Sequence, residues 1–457
     1  MSTALLFCEL PAQKKSASCL SHFRRYTNST MLDIELIRNQ PDLVKASLKR
    51  RGGNTAIVDK MVTLDNEWRE KVEAVEALRA KQKALSAERK IDEAKANKEI
   101  IKQLEEALTK LETERQKVWL SLPNLLADDV PDGKDEDENK IIRSWGEKPT
   151  FSFEPKDHMK IGEALGIIDM EKAAEVSGAR FYYLKGDGAL LELALLQYAM
   201  SRLTNSEWIK KVADAVGDGV STKPFVPVVP PVMIRPDVYQ KMARLNPGVD
   251  EDERYYIPSD DQYLIGSAEH TLGPLHMNET IDSADFPLRY VAFSTCFRRE
   301  AGSYGKDTRG MIRVHQFDKI EMEVFSDAAT SIQEQNFLVT VQETMLQELN
   351  IAYEVMAVCT GDMGDPDARQ IDINSWIPSQ GTYRETHTSD LMTDYQTRRL
   401  NTKIRQDKTI FYAHTNDATA IAMSRIIVAI LENYQQKDGT VKVPEVLRPH
   451  FGKEIIG

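Results

Sequence analysis

Two runs of heptad-spaced residues constrain this chain more than any other feature in it. Met61, Trp68, Val75 and Gln82 lie seven apart, as do Leu64, Lys71, Leu78 and Leu85; a second run sets Ile101, Leu108 and Arg115 against Leu104, Leu111 and Val118. A seven-residue period keeps one seam of a helix turned towards a partner, whereas a strand needs a period of two. Two such helices of similar length, joined across the polar stretch IDEAKANKE, should fold back as an antiparallel coiled coil over about residues 58–118. The seam is broken at polar positions such as Lys71 and Gln82. The arm carries Arg79, Lys81, Lys83, Arg89, Lys90, Lys95, Lys98, Lys102 and Lys110. A solvated coiled-coil face explains such charges in an arbitrary arm as well as a binding surface does.

Around the arm the chain divides into three. Residues 1–30 hold Lys14, Lys15, Arg24 and Arg25 against one acid, Glu9, with no apolar period, and read as a disordered leader or a transit peptide. From Met31, MLDIELIRNQPDLVKASLKRRG predicts a short helix stopped by Gly52 and Gly53, so that residues 31–125 form one helical unit with the arm. The stretch LPNLLADDVPDGKDEDENK, 122–140, reads as a linker. Beyond it, residues 126–457 mix helical GALLELALLQYAMSRLT with strand-like PLRYVAFSTCF, IEMEVF and IAYEVMAV, which predicts an α+β domain on a mainly antiparallel sheet.

Several classes are excluded. No stretch of 18 uncharged apolar residues exists to span a membrane as a helix. A formal charge of −12, from 59 Lys plus Arg against 71 Asp plus Glu, argues against indiscriminate coating of nucleic acid but leaves local basic patches open. Cys8, Cys19, Cys296 and Cys359 include no CxxC pair, so neither a disulfide framework nor a Cys-rich zinc site is supported, and a reducing compartment is the simplest reading.

Residues 297–321, FRREAGSYGKDTRGMIRVHQFDKIE, carry the chemistry. A strand end leads into a Gly-rich polar loop and returns as a strand whose alternation sends Arg313, His315, Phe317, Lys319 and Glu321 to one face. Arg298 and Arg313 at the two ends of the loop could clamp a phosphate, and Phe317 could stack on a purine. A salt-bridged surface hairpin would look similar. There is no G-x-G-x-x-G after a strand and no P-loop string, so a nucleotide must be held by other means.

That string resembles motif 2 of the class II aminoacyl-tRNA synthetases and is similar to its seryl-tRNA synthetase version nearly residue for residue. From Met31 onward, the N-terminal segment, the charged arm, PNLLADDVPDG, WGEKPTFSFEPKDH and AILENYQQKDGTVKVPEVLRP follow that family in order. The chain is thus identified as a member of the bacterial and eukaryotic type of the family; the zinc-dependent archaeal type is disfavoured because no Cys, Glu and Cys constellation occurs. The resemblance implies a class II antiparallel sheet flanked by helices, with motifs 1, 2 and 3 within residues 126–457 and a tRNA-binding arm before them. It implies ATP and Mg²⁺ as cofactors, and serine activation followed by transfer to the 3′ end of tRNA(Ser), with tRNA(Sec) as a further partner.

By the same resemblance, Arg298, Glu385 and Arg425 are the expected catalytic residues. ATP is expected to meet Arg298, Arg299, Glu300, Arg313, Val314, Phe317, Glu385, Thr386, His387, Thr388 and Arg425, with Phe317 and Arg425 on the two faces of adenine and Glu385 holding Mg²⁺. Serine is expected at Ser267, Ala268, Glu269, Arg298, Glu321 and Thr419, its ammonium on Glu321. A homodimer is implied, with PVVPPVMIRPDVYQ at the two-fold interface, no membrane partner, and a cytoplasmic location, or a mitochondrial one if residues 1–30 are a transit peptide. The chain departs from the family at Ser267, at Thr386, His387 and Thr388, and at Asp417 and Ala418, which puts pocket detail in doubt. His387 beside Glu385 reads as a hydrogen-bonding residue more than a metal ligand. Two other readings compete: a catalytically inactive tRNA-binding paralogue, disfavoured by the complete set of charged residues, and a ligase that charges a carrier protein, disfavoured by the arm.

Overall fold

The computed structural model describes residues 33–246, 248, 251–300 and 310–457. The expected leader and the centre of the residue 297–321 loop therefore lie outside the described residues. The first segment forms two helices, α1 (Ile34–Asn39) and α2 (Pro41–Arg50), in place of the single one expected. Pro41 explains the split, because it has no N–H to donate to a preceding turn yet suits the first position of a new helix.

The coiled coil is built from α3 (Ala56–Ala87) and α4 (Ile91–Leu120). The reversal falls at residues 88–90, where Arg89 adopts a φ of 59°, and not across IDEAKANKE. That stretch starts α4 instead, since its Ala, Glu and Lys residues favour helix and Asp92 and Glu93 complement the positive end of the helix dipole. Polar residues meet across the seam. Asn97 is buried and donates to Gln82 Oε1 at 2.8 Å and to the Leu78 carbonyl at 3.0 Å. Arg115 donates from Nε to Asp65 Oδ1 at 2.9 Å, and Arg38 of α1 reaches the same carboxylate at 2.5 Å. At the base, Val58, Met61, Leu64 and Val118 close a core with Leu36, Ile37, Val44 and Leu48.

Asp65 therefore ties the arm to its base from a fully buried position. Burial opposes its charge, but Arg38 and Arg115 outweigh that and hold the carboxyl below its usual range. A folded pKa below the unfolded one of about 3.9 contributes stability above that pH, lost as pH falls through the folded value. Asp65→Ala should cost the base about 2 kcal/mol at neutral pH by removing the buried carboxylate that Arg38 and Arg115 share, leaving Arg38 with Glu35 alone. Thermal melts should show this gap at pH 7 and see it close under strongly acid conditions.

The remainder is organised on one eight-stranded sheet: β1 (Lys140–Trp145), β2 (Val226–Val228), β3 (Leu288–Phe297), β4 (Gln316–Ser326), β5 (Tyr353–Ala357), β6 (Arg369–Ile377), β7 (Thr382–Thr393) and β8 (His414–Ala422). The spatial order is β1-β5-β6-β7-β8-β4-β3-β2, antiparallel throughout except for the edge strand β2, which runs parallel to β3. All three strand-like runs of the sequence lie in it. Alternation decides what each face does. On β4, Ile320, Met322 and Val324 pack beneath helices α5 (Asp187–Leu203), α6 (Ser206–Val216), α7 (Ser331–Glu348) and α8 (Met423–Asn433), while Lys319, Glu321 and Glu323 point the other way. On β8, Ala418 and Ala420 join the core and Asp417 and Thr419 face away from it. The sheet is thus apolar under the helices and charged on the opposite face. Among the described residues no helix is long and apolar enough to cross a membrane.

Candidate active site

The charged face of the sheet opens into a cavity of about 360 Å³ between the end of β3, strands β4, β7 and β8, and the start of α8. Arg298, Glu300, Arg313, Val314 and Phe317 line it from the hairpin. Glu385, Thr386 and Thr388 line it from β7, Thr419 from β8, Arg425 from α8, and Glu269 from the one-turn helix Glu269–Leu272. Residues from Glu269 to Arg425, far apart in the sequence, are thereby gathered at one site.

Two register shifts make this possible. Between β6 and β7 the pairing skips at Ile373/Asn374, so Thr386 is an extra residue. Strict alternation would put Glu385 on the face opposite Thr386 and Thr388; the bulge turns it into the cavity beside them. Between β4 and β8 the pairing skips at Ile320/Glu321, which brings both Thr419 and Ala422 to the cavity.

The geometry falls into two ends. At one, Arg425 Nη1 donates to Glu385 Oε1 at 2.7 Å and Arg313 Nη1 to Glu300 Oε2 at 2.6 Å, while the Arg298 guanidinium stands 5.4 Å from the Phe317 ring centre. Burial opposes the charge on Glu385, but Arg425 prevails and holds its carboxyl below the usual range. Asp372, buried beside that charge, is pushed up to about 8 by burial first and Glu385 second. At the other end, Arg298 Nε donates to the Gly266 carbonyl at 3.2 Å, and Ser267 Oγ donates to Glu321 Oε2 at 3.3 Å. Lys319 pairs with Glu321, whose second oxygen is buried and has no hydrogen-bond partner among the described residues. Burial is the main cause that keeps the Glu321 carboxyl above its usual range.

Some expected residues stand back from the cavity. Ser267, Ala268 and Glu321 are buried behind its wall. Arg299 sits against Tyr255, 6.0 Å from the ring centre. His387 is buried with Nδ1 2.8 Å from Thr386 Oγ1, and burial depresses it to about 4, so it is neutral at pH 7 and acts as a hydrogen-bonding residue. His315 also leaves the face that alternation assigned to it, because β4 begins at Gln316. Its Nδ1 lies 3.0 Å from the Arg298 carbonyl and its ring 5.5 Å from that of Phe181.

Other lining residues escaped sequence reasoning: Arg244, Arg254, Asp367, Gln370, Asp390 and Ser424. Lys319 was legible from alternation. Arg244 was not, since it follows the helix Pro236–Lys241 in a turn with no motif. It pairs with Glu269, and its Nη2 lies 3.3 Å from Asp417, 3.4 Å from Asp390 and 3.6 Å from Asp367. Against the cost of burial, Arg244 holds the Glu269 carboxyl down at about 2.

The oxygen donors at the first end fit a hard divalent cation. Glu385 is held charged by Arg425, Asp372 beside it is pushed towards its neutral form by burial and by Glu385, and Thr388 supplies a hydroxyl at the cavity wall.

Comparison with known proteins agrees in both halves of the chain. Residues 31–126 match the seryl-tRNA synthetase N-terminal domain, and residues 254–434 match the tRNA synthetase class II core domain (G, H, P, S and T). The serine–tRNA ligase of Acidothermus cellulolyticus is 41% identical over 436 residues, covering 93% of this chain and 99% of that protein. The crystal structure of seryl-tRNA synthetase from Pyrococcus horikoshii complexed with ATP superposes with a TM-score of 0.84 at 38% identity, covering 93% of this chain and 99% of that one. The cytoplasmic serine-tRNA ligase of Naegleria fowleri in complex with AMP gives 0.82 at 31% identity, with the same coverage of 93% and 99%.

Proposed function

The chain belongs to the seryl-tRNA synthetase family and is a serine–tRNA ligase, and from that premise we propose how its own residues activate L-serine with ATP and pass it to tRNA(Ser) and tRNA(Sec). One observation carries the reading: the hairpin residues Arg298, Glu300, Arg313 and Phe317 meet Glu385, Arg425, Glu269 and Thr419 around a single cavity. ATP enters with its adenine between Phe317 and Arg425, and with its phosphates among Arg298, Arg313 and Glu385. Mg²⁺ held at Glu385 would neutralise phosphate charge. Serine lies at the other end, its ammonium directed to Glu321, which stands just behind the wall with one carboxylate oxygen on Lys319 and the other without a hydrogen-bond partner among the described residues.

In the first step a serine carboxylate oxygen forms a bond to the α-phosphorus while the bond to the β-phosphate oxygen breaks and pyrophosphate leaves. The protein's contribution is alignment and charge: Arg298 touches both ends of the cavity and so joins the carboxylate to the α-phosphate. In the second step the 3′-hydroxyl of the terminal ribose attacks the acyl carbon and AMP leaves. The tRNA is held along the α3–α4 arm, whose lysines Lys81, Lys83, Lys95, Lys98 and Lys102 are exposed. Residues 31–125 and 126–457 divide these two tasks.

ATP–pyrophosphate exchange across the amino acids, followed by transfer to tRNA, tests the reading. Serine should be strongly preferred. Alanine leaves buried acceptors unpaired and should be rejected by roughly 10⁴-fold, while threonine must be excluded by bulk. Ser267→Thr adds a methyl beside Glu321 in a fully buried site and should raise the KM for serine several-fold; Thr388→Ser, at the cavity wall, should change it little. Preferential activation of threonine would overturn the substrate assignment.

A homodimer is proposed on the edge strand β2, where Val226 and Val229 are 55% and 97% exposed beside unpaired backbone. Sedimentation at micromolar concentration should give twice 51.8 kDa.

A further inference from the structure

The amino-acid end of the cavity rests on a row of acids that the activation of serine does not use. Glu323 on β4 pairs directly with Asp417 on β8, and Asp417 pairs directly with Asp390 on β7. Residues directly opposite in an antiparallel sheet share a face, so three carboxylates stand side by side across three strands. Like charges in that position repel and destabilise the pairing. Glu323 and Asp417 are wholly buried, and both carboxylate oxygens of Glu323 lack a hydrogen-bond partner among the described residues. Asp367 and Glu269 approach the same place from a loop and from the one-turn helix. Such a row is tolerated where its carboxyls take up protons and a cation stands beside those that stay charged.

Arg244 is that cation. It reaches Glu269, Asp367, Asp390 and Asp417 at once, and it lines the cavity while Asp417 and Glu323 do not. The guanidinium therefore stands between the cavity and Asp417 and Glu323, while Glu269, Asp367 and Asp390 reach the cavity wall beside it. Burial, reinforced by the neighbouring acids, already keeps Asp390 and Asp417 above the usual carboxylate range even with Arg244 present. Glu269 is the acid that Arg244 holds charged, and without the guanidinium that charge would lose its counter-ion.

We propose that Arg244 determines specificity at the amino-acid end: its guanidinium stands where the second positive group of a diamino acid would bind, and so restricts the site to small uncharged side chains. The proposal rests on the assignment of this cavity to amino-acid activation. In the native enzyme a side-chain ammonium would meet the guanidinium, a like-charge contact strong enough to reject it. With the guanidinium removed, the same ammonium becomes the missing counter-cation.

The test is pyrophosphate exchange by the full-length protein and by Arg244→Ala with serine, L-2,4-diaminobutyrate and L-homoserine. The last two have the same chain length and differ in charge. The native enzyme should use both at least ~100-fold less well than serine. In Arg244→Ala the ratio of diaminobutyrate to serine should rise at least ~10-fold, and by more than the ratio for homoserine, which reports added space alone. Equal gains for both compounds, no gain in a folded variant, or activation of diaminobutyrate by the native enzyme would each overturn the proposal. Arg244→Gln keeps donors for Asp390 and Asp417 and replaces the alanine variant if that one does not fold. Failure of both variants to fold would make Arg244 a structural residue and refute the proposal. A native enzyme that activates no serine would instead sink the assignment on which the proposal rests.

Discussion

Arg298→Ala is expected to lower serine-dependent pyrophosphate exchange by ~10³-fold or more, because it removes charge where the transition state develops it. The size of the effect follows from the position of this side chain between the two ends of the cavity. Its guanidinium stands over Phe317 while its Nε holds the Gly266 carbonyl at 3.2 Å, next to the serine loop. On the proposed assignment, one substitution removes both a phosphate contact and the alignment of the two reactants. The fold should survive, since the backbone of Arg298 is held independently through His315 at 2.9 Å and 3.0 Å. Arg299→Ala supplies the control, because that side chain lies against Tyr255 outside the cavity and its loss should leave exchange within a few-fold of wild type. Exchange at the wild-type rate in Arg298→Ala, with the melting temperature unchanged, would refute the assignment.

Shortening the arm should have the opposite signature. Excision of residues 73–107, with a short Gly-rich turn joining the ends, should leave pyrophosphate exchange intact and reduce charging of tRNA(Ser) by ~100-fold or more, through loss of backbone contacts. The cut is set by packing. Asp65–Arg115 and the Trp68 Nε1 to Glu112 Oε2 hydrogen bond at 3.0 Å lie on the base side, as do Val58, Met61, Leu64 and Val118. Removing residues 58–118 entire would open the core formed with α1 and α2, so lost activity in that longer deletion would report unfolding. Charging at normal efficiency by the shorter deletion would show that the arm does not serve the tRNA. The same pair of assays with tRNA(Sec) tests whether it is a substrate and whether its charging depends on the arm.

Much of this was legible in the chain, for local reasons. A heptad period persists along a helix whatever surrounds it, so the arm could be read from Met61, Leu64, Val75 and Leu85 alone. The alternation in DKIEMEVF foretold a strand with one apolar and one charged face, as β4 has. Pro41 and Arg89 show where local reading fell short. The first cut one expected helix into two, and the second placed the reversal at residues 88–90, directly before the polar stretch that had suggested it. Both errors come from competition between neighbouring signals of similar strength, in which turn geometry decided the boundary.

The sequence by itself determined the arm, three strands of the main sheet and the identity of the charged hairpin, because each depends on residues close together in the chain. Only the tertiary structure decided which side chains share the cavity. Glu385 enters it through a bulge at Thr386, and a bulge depends on the partner strand's register as much as on its own residues. Arg244 meets Asp367, Asp390 and Asp417 across more than 120 residues of sequence, and no spacing rule relates a turn to three distant acids. A buried charge takes its meaning from what lies opposite it in space, and that is fixed when strands from distant parts of the chain pair.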